Sequence, residues 1–95
     1  MIKLSLVQSI GTYCGTHTEG EMLYRVIAPY LSRNEKVVLD FEGVQLASSS
    51  FFNELFRHVI DHFGESVLNS QIAYASLKPR HQFVLDRSQP IVSFL

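Results

Sequence analysis

A chain of 95 residues has room for one domain, expected over residues 1–95, and a chain this short buries only somewhat more than ~60% of the surface it exposes when unfolded. Its hydrophobic fraction of 46% suffices for a packed core, while 8 basic against 9 acidic residues, a net charge of -1 and no basic block leave no field to hold a phosphate backbone, so nucleic acid is not an expected partner. One cysteine, Cys14, cannot form an internal disulfide, and no stretch approaches the ~20 apolar residues of a membrane span or shows the cationic start and cleavage site of a secretory signal, so the expected location is a reducing cytoplasm, away from membranes.

Taken in chain order, Ile2, Leu4 and Leu6 alternate with polar residues and Val7 and Ile10 prolong the apolar character, which predicts a strand over residues 2–10. Gly11 to Gly15 then turn the chain. Thr18 and Glu21 have capping-box spacing and predict a helix start, with Met22, Leu23, Val26, Ile27, Tyr30 and Leu31 on its apolar face. Pro29 is expected to kink that helix or end it early. Lys36 to Phe41 contains the apolar run Val37-Val38-Leu39 of a strand covered on both faces, and Glu42-Gly43 reverses the chain. Ser49 or Ser50 is the expected cap of the next helix, in which Phe51, Phe52, Leu55, Phe56, Val59, Ile60 and Phe63 recur at spacings of three and four and Gly64 is the stop. Gln71 to Ser76 reads as a strand, and Lys78-Pro79-Arg80 opens a helix with Phe83, Val84 and Leu85 on its buried side, ended before Pro90. Ile91 to Leu95 reads as a final edge strand. Strands separated by helices of this length predict an α/β fold: a mostly parallel central sheet with three helices packed on it.

Several groups of residues carry possible chemistry. His58 and His62 stand four apart beside Asp61, on one helical face, but the glutamate of His-Glu-x-x-His is missing. With Glu54 and Arg57 as neighbours, a solvated helix face explains them better, Arg57 and Asp61 forming a weak ion pair, and neither metal nor cofactor is expected. Cys14 and His17 are close enough in sequence to suggest a thiolate with its base, yet a loop cysteine is the simpler account. Gly11, Gly15 and Gly20 lack the lysine and spacing of a nucleotide loop. Phe51 and Phe52 point about 100° apart on a helix, so that burying both needs a broad interface and one is a candidate for facing a partner. Ser48, Ser49 and Ser50 crowd the positive end of the same helix, where a cap and two loop serines need no further role.

Hydrophobic strand (Val37 to Phe41), short turn, serine cluster (Ser48-Ser49-Ser50), amphipathic helix and second strand (Gln71 to Ser76) together resemble the STAS domain of anti-sigma factor antagonists, and the chain is identified as a member of the STAS-like superfamily. The serines sit where that family writes Asp-Ser-Ser, with Ser48 in place of the aspartate and Phe51-Phe52-Asn53 in place of Gly-Leu-Gly; shorter STAS-like domains with a Ser-Phe junction are more similar. The resemblance implies a single small STAS-like domain working as a non-catalytic regulatory protein-interaction module. Its partner would be an ATPase or kinase of the anti-sigma type. The phosphoacceptor role falls on Ser50, with Ser49 its neighbour, and Ser48, Phe51 and Asn53 become the candidate partner-binding residues. Two other readings stay open: a small hydrolase or transferase using the Gly11 to Thr18 loop, and a structural or homodimerisation module without a switch.

Overall fold

β1 (Ile2–Ser5) opens the chain in the computed structural model, which describes residues 1–88. It is followed by α1 (Leu6–Ile10), β2 (Tyr13–Cys14), α2 (His17–Ser32), β3 (Val37–Asp40), β4 (Leu46–Ala47), α3 (Ser49–Phe63), α4 (Glu65–Gln71), β5 (Ile72–Ala75) and α5 (Pro79–Ser88). β1, β3 and β5 pair in that order, all parallel, with Ile2, Val37 and Ile72 in one cross-strand row and Leu4, Leu39 and Tyr74 in the next on the same face. The crossovers advance in one direction, β1 to β3 through α2 and β3 to β5 through α3 and α4. Parallel crossovers are right-handed as a rule, which puts α2 and α3 together over one face of the sheet, where they pack against each other. Val37 and Leu39 are fully buried.

A second sheet of two short parallel strands, β2 and β4, pairs Tyr13 with Leu46 and Cys14 with Ala47. Its inner residues, Cys14 and Ala47, join the core, whereas Tyr13 and Leu46 face outward. The core itself is dominated by α3, whose Phe51, Phe52, Leu55, Phe56 and Val59 are all buried. Phe52 lies between Phe41 and Phe56 at centroid distances of 5.9 and 5.8 Å, and Phe51 meets it edge-on at 5.1 Å, so the rings form a continuous aromatic column from β3 into the helix layer. A fully buried ring of this kind contributes up to ~3 kcal/mol through apolar burial alone. α2 packs along α3 at Gly20, where an added Cβ would stand 2.5 Å from the Phe51 carbonyl oxygen and 2.9 Å from the Glu54 Cβ. Glycine permits that approach.

The α/β class and the parallel sheet agree with expectation, but the helix count does not, since five helices are present among the described residues rather than three. Residues 2–10 are not one strand. Ser5 accepts a hydrogen bond from the Gln8 amide at 3.2 Å and so caps α1, and Gly11, at φ 106°, ends it. α2 begins two residues before the expected start: Thr16 rather than Thr18 is its cap, the Glu19 carboxylate accepting from the Thr16 amide at 2.8 Å and its hydroxyl at 2.7 Å, while Glu21 pairs with Arg25. Pro29 does not stop α2, which continues to Ser32 because Leu31 beyond it is buried and Pro29 itself lies on the solvent side. α4 was not expected; Leu68 anchors it in the core after the break at Gly64. On α5 the buried residues are His81 and Leu85, and Phe83 is 61% exposed. The expected strand over Ile91 to Leu95 and the helix end before Pro90 lie outside the described residues.

His81 is only 2% exposed and its ring lies 6.4 Å from that of Phe41. Neither ring nitrogen has a hydrogen-bond partner of good geometry among the described residues, although the Gln45 carbonyl approaches closely enough to favour the protonated ring. Burial outweighs it, and with the positive charges of Arg80 and Lys78 holds the pKa below the usual 6.5.

Three outcomes follow for stability. Gly20→Ala gains about 1 kcal/mol of helix propensity but forces α2 and α3 apart, for a net loss on the order of 1–2 kcal/mol in urea denaturation; a midpoint at or above wild type would show that the seam yields freely. Phe56→Ala, at a site 2% exposed, costs roughly 3–5 kcal/mol, and an unchanged midpoint would reject the packing of the aromatic column. Because the folded state holds His81 neutral, its contribution is complete above pH 6.5, the unfolded-state value, and is lost as pH falls below 6.5 toward the lower folded-state pKa. Melting temperature should therefore decline over that interval, and His81→Leu should flatten the decline; identical pH profiles for the two proteins would contradict this assignment.

Candidate functional site

The serine cluster forms the junction between β4 and α3. Ser48, not Ser49 or Ser50, caps the helix: its Oγ accepts from the Phe51 amide at 3.2 Å and donates to the Gly15 carbonyl at 2.9 Å, and its own amide donates to the Cys14 carbonyl at 2.9 Å. These bonds stitch the helix start to the loop after β2. The capping position is thereby fixed by a partner 33 residues away in sequence rather than by the local run of serines. Ser49 and Ser50 occupy the first turn of α3, both exposed, and neither hydroxyl has a hydrogen-bond partner among the described residues. Amides of a helix's first turn have no partner within the helix and carry its positive end, so two free hydroxyls stand beside a patch that favours negative charge.

Of the residues expected to touch a partner, Asn53 is exposed, Ser48 is half-buried and engaged by its capping bonds, and Phe51 is fully buried. The proposal that Phe51 or Phe52 faces outward is therefore corrected: the α3 interface with the sheet and α2 is broad enough to enclose both rings. Ser49 and Asn53 line a groove of about 320 Å³ whose opposite wall is α5, through Phe83, Val84, Arg87 and Ser88. The α5 residues are a part of the site that sequence reasoning missed. Their signal was the spacing of Arg80, Phe83 and Arg87, which share one helical face, and the Arg87 guanidinium lies over the Phe83 ring at 5.3 Å.

Elsewhere the candidates separate. Cys14 is a strand residue, fully buried, rather than a loop cysteine, and burial, with the nearby Glu19 carboxylate, pushes its thiol up to about 12. A thiol so protonated is a poor nucleophile at neutral pH. His17 is exposed at the start of α2, and no hydrogen bond joins it to Cys14. His58 is less solvated than its sequence neighbours suggest: Nε2 lies 2.9 Å from the Glu54 carboxylate, and the ring stacks on Tyr24 of α2 at 4.9 Å. His62 stacks on the same tyrosine at 5.5 Å and donates from Nδ1 to the His58 carbonyl, so the two imidazoles lie face to face rather than converging on an ion. Arg57 holds the Glu54 pKa below the carboxylate range through a 2.8 Å hydrogen bond and reaches Asp61 at 3.5 Å. Among the described residues no group of three His, Cys, Asp or Glu side chains could hold a metal. No helix among them is long and apolar enough to cross a membrane.

A family model described as a STAS-like domain of unknown function (DUF4325) matches residues 19–82, a span that runs from the first turn of α2 through the serine junction into α5. No curated protein and no solved structure matches the chain. The matched span covers more than half of the sequence and contains β3, the capped start of α3, β5 and the Gly20 seam, so the chain belongs to the family of STAS-like domains of unknown function.

Proposed function

We propose that this domain is a non-catalytic regulatory module that docks a protein partner through the α3 junction, in the manner of an anti-sigma factor antagonist, and that Ser50 is its switch, with Ser49 the secondary phosphoacceptor. The partner is an ATPase or kinase of the anti-sigma type, acting in the cytoplasm. One observation carries the reading: two exposed, unbonded serine hydroxyls stand in the first turn of α3 while the neighbouring Ser48 alone caps the helix. Modification of Ser50 would thus leave the cap intact. In the transfer, the Ser50 hydroxyl attacks the γ-phosphorus of ATP held by the partner, the bond to the β-phosphate oxygen breaks, ADP leaves, and the hydroxyl proton passes to a base of the kinase.

The resulting phosphate adds about 1.5 to 2 negative charges to a domain of net charge -1, beside free amides that stabilise it without melting the helix. Docking changes because the surface presented to the partner changes. Ser50→Asp should weaken association while leaving the melting temperature near wild type, and Ser50→Ala should bind normally, resist modification and lose almost no stability, because it is not the cap. Phosphopeptide mapping after incubation with the kinase and ATP decides the matter: label at Ser50 supports the switch, and label elsewhere, or none, defeats it.

A further inference from the structure

α5 presents one face that is largely exposed among the described residues. Arg80, Phe83, Val84 and Arg87 recur at intervals of three and four, so they share one stripe of the helix. His81 and Leu85, on the other side, anchor it to the core. Phe83 is 61% exposed, which is unusual for a ring of that size, and neither arginine has a carboxylate partner among the described residues. Arg80 instead donates to the Gln45 carbonyl at 3.0 Å, and Arg87 lies over the Phe83 ring. Asp86 lies further round the helix and accepts from Gln82 at 2.8 Å. An aromatic ring flanked by two guanidinium groups that lack a carboxylate partner among the described residues is a composition enriched at protein interfaces.

We propose that this stripe, with the groove that it shares with Ser49 and Asn53, is the docking surface for an extended acidic segment of a partner protein. Seven helical residues separate the arginines by about 10 Å along the axis, and one turn of polyproline II, three residues at about 3.1 Å each, spans nearly the same distance and returns the side chain to the same side. Carboxylates at positions i and i+3 of the segment then meet Arg80 and Arg87, and an apolar side chain between them enters the 320 Å³ groove against Phe83 and Val84. The inference rests on the reading of this domain as a docking module, but it holds whether or not Ser50 carries phosphate.

The test is a titration of the unphosphorylated, ¹⁵N-labelled protein with an acetylated peptide of repeating Glu-Leu-Ser, and separately with its Lys-Leu-Ser counterpart. The acidic peptide should shift the amides of α5 and of Ser49 to Asn53, with the lysine peptide at least about tenfold weaker. The double substitution Arg80→Glu with Arg87→Glu should lower affinity about tenfold. Arg87→Glu alone should lower it by a smaller factor, and serves should loss of the Arg80 bond to Gln45 disturb folding. Shifts confined to other elements, equal binding of the two peptides, no shift at millimolar peptide, or unchanged affinity in Arg87→Glu would each overturn the surface. Shifts elsewhere would still leave a docking module, and the mapping of phosphate to Ser50 is independent of every one of these outcomes.

Discussion

α2 and α3 approach each other so closely at Gly20 that the missing side chain is itself a structural part, with the Phe51 carbonyl and the Glu54 Cβ filling the space a methyl group would need. The position is costly in isolation, since glycine inside a helix loses about 1 kcal/mol relative to alanine. Close packing returns more than that, because it lets α3 settle against both α2 and the sheet and bury Phe51 and Phe52 together. The serine junction depends on the same arrangement. Phe51 is the residue whose amide the Ser48 cap receives, so the ring that fixes α3 in the core and the amide that fixes its first turn belong to one position.

From that seam the surface chemistry is positioned indirectly. Ser49, Ser50 and Asn53 are exposed because their neighbours Phe51, Phe52 and Leu55 are interior, and the short sheet of β2 and β4 holds the entry to α3 through the bonds of Ser48 to Gly15 and Cys14. α5 is fastened by the pair His81 and Leu85, which leaves the arginine stripe outward and brings Phe83 and Arg87 to the groove beside Ser49. A packed interior thus presents a set of exposed polar groups at defined places.

Much of this was legible in the sequence where the period and length of an element are strong. The apolar face of α3, its stop at Gly64 and the strand run Val37 to Leu39 follow from burial patterns alone. The chain ends of helices were less legible because the local code is degenerate. Thr16 with Glu19 and Thr18 with Glu21 both have capping-box spacing, and any of three consecutive serines could cap α3. The pairing of β2 with β4 chooses among them, as the Ser48 to Gly15 bond shows. Strands of two residues and helices of five or seven have almost no intrinsic preference and exist through their contacts, so α1, β2, β4 and α4 were invisible. Hydrophobicity also ranks Phe83 above His81 for burial, and tertiary packing reversed that order.

The single cysteine gives the molecule an internal gauge of its own. Cys14 lies fully buried on β2, its carbonyl bonded to the Ser48 amide, and its thiol is held protonated. A thiol reagent can therefore reach it only through an opening of the structure around β2, so the rate of labelling near neutral pH reports the free energy of that opening. Whatever tightens or loosens the helix entry beneath Ser49 and Ser50, a bound segment or an added charge alike, must change that rate, and the chain carries the reporter without any engineered substitution.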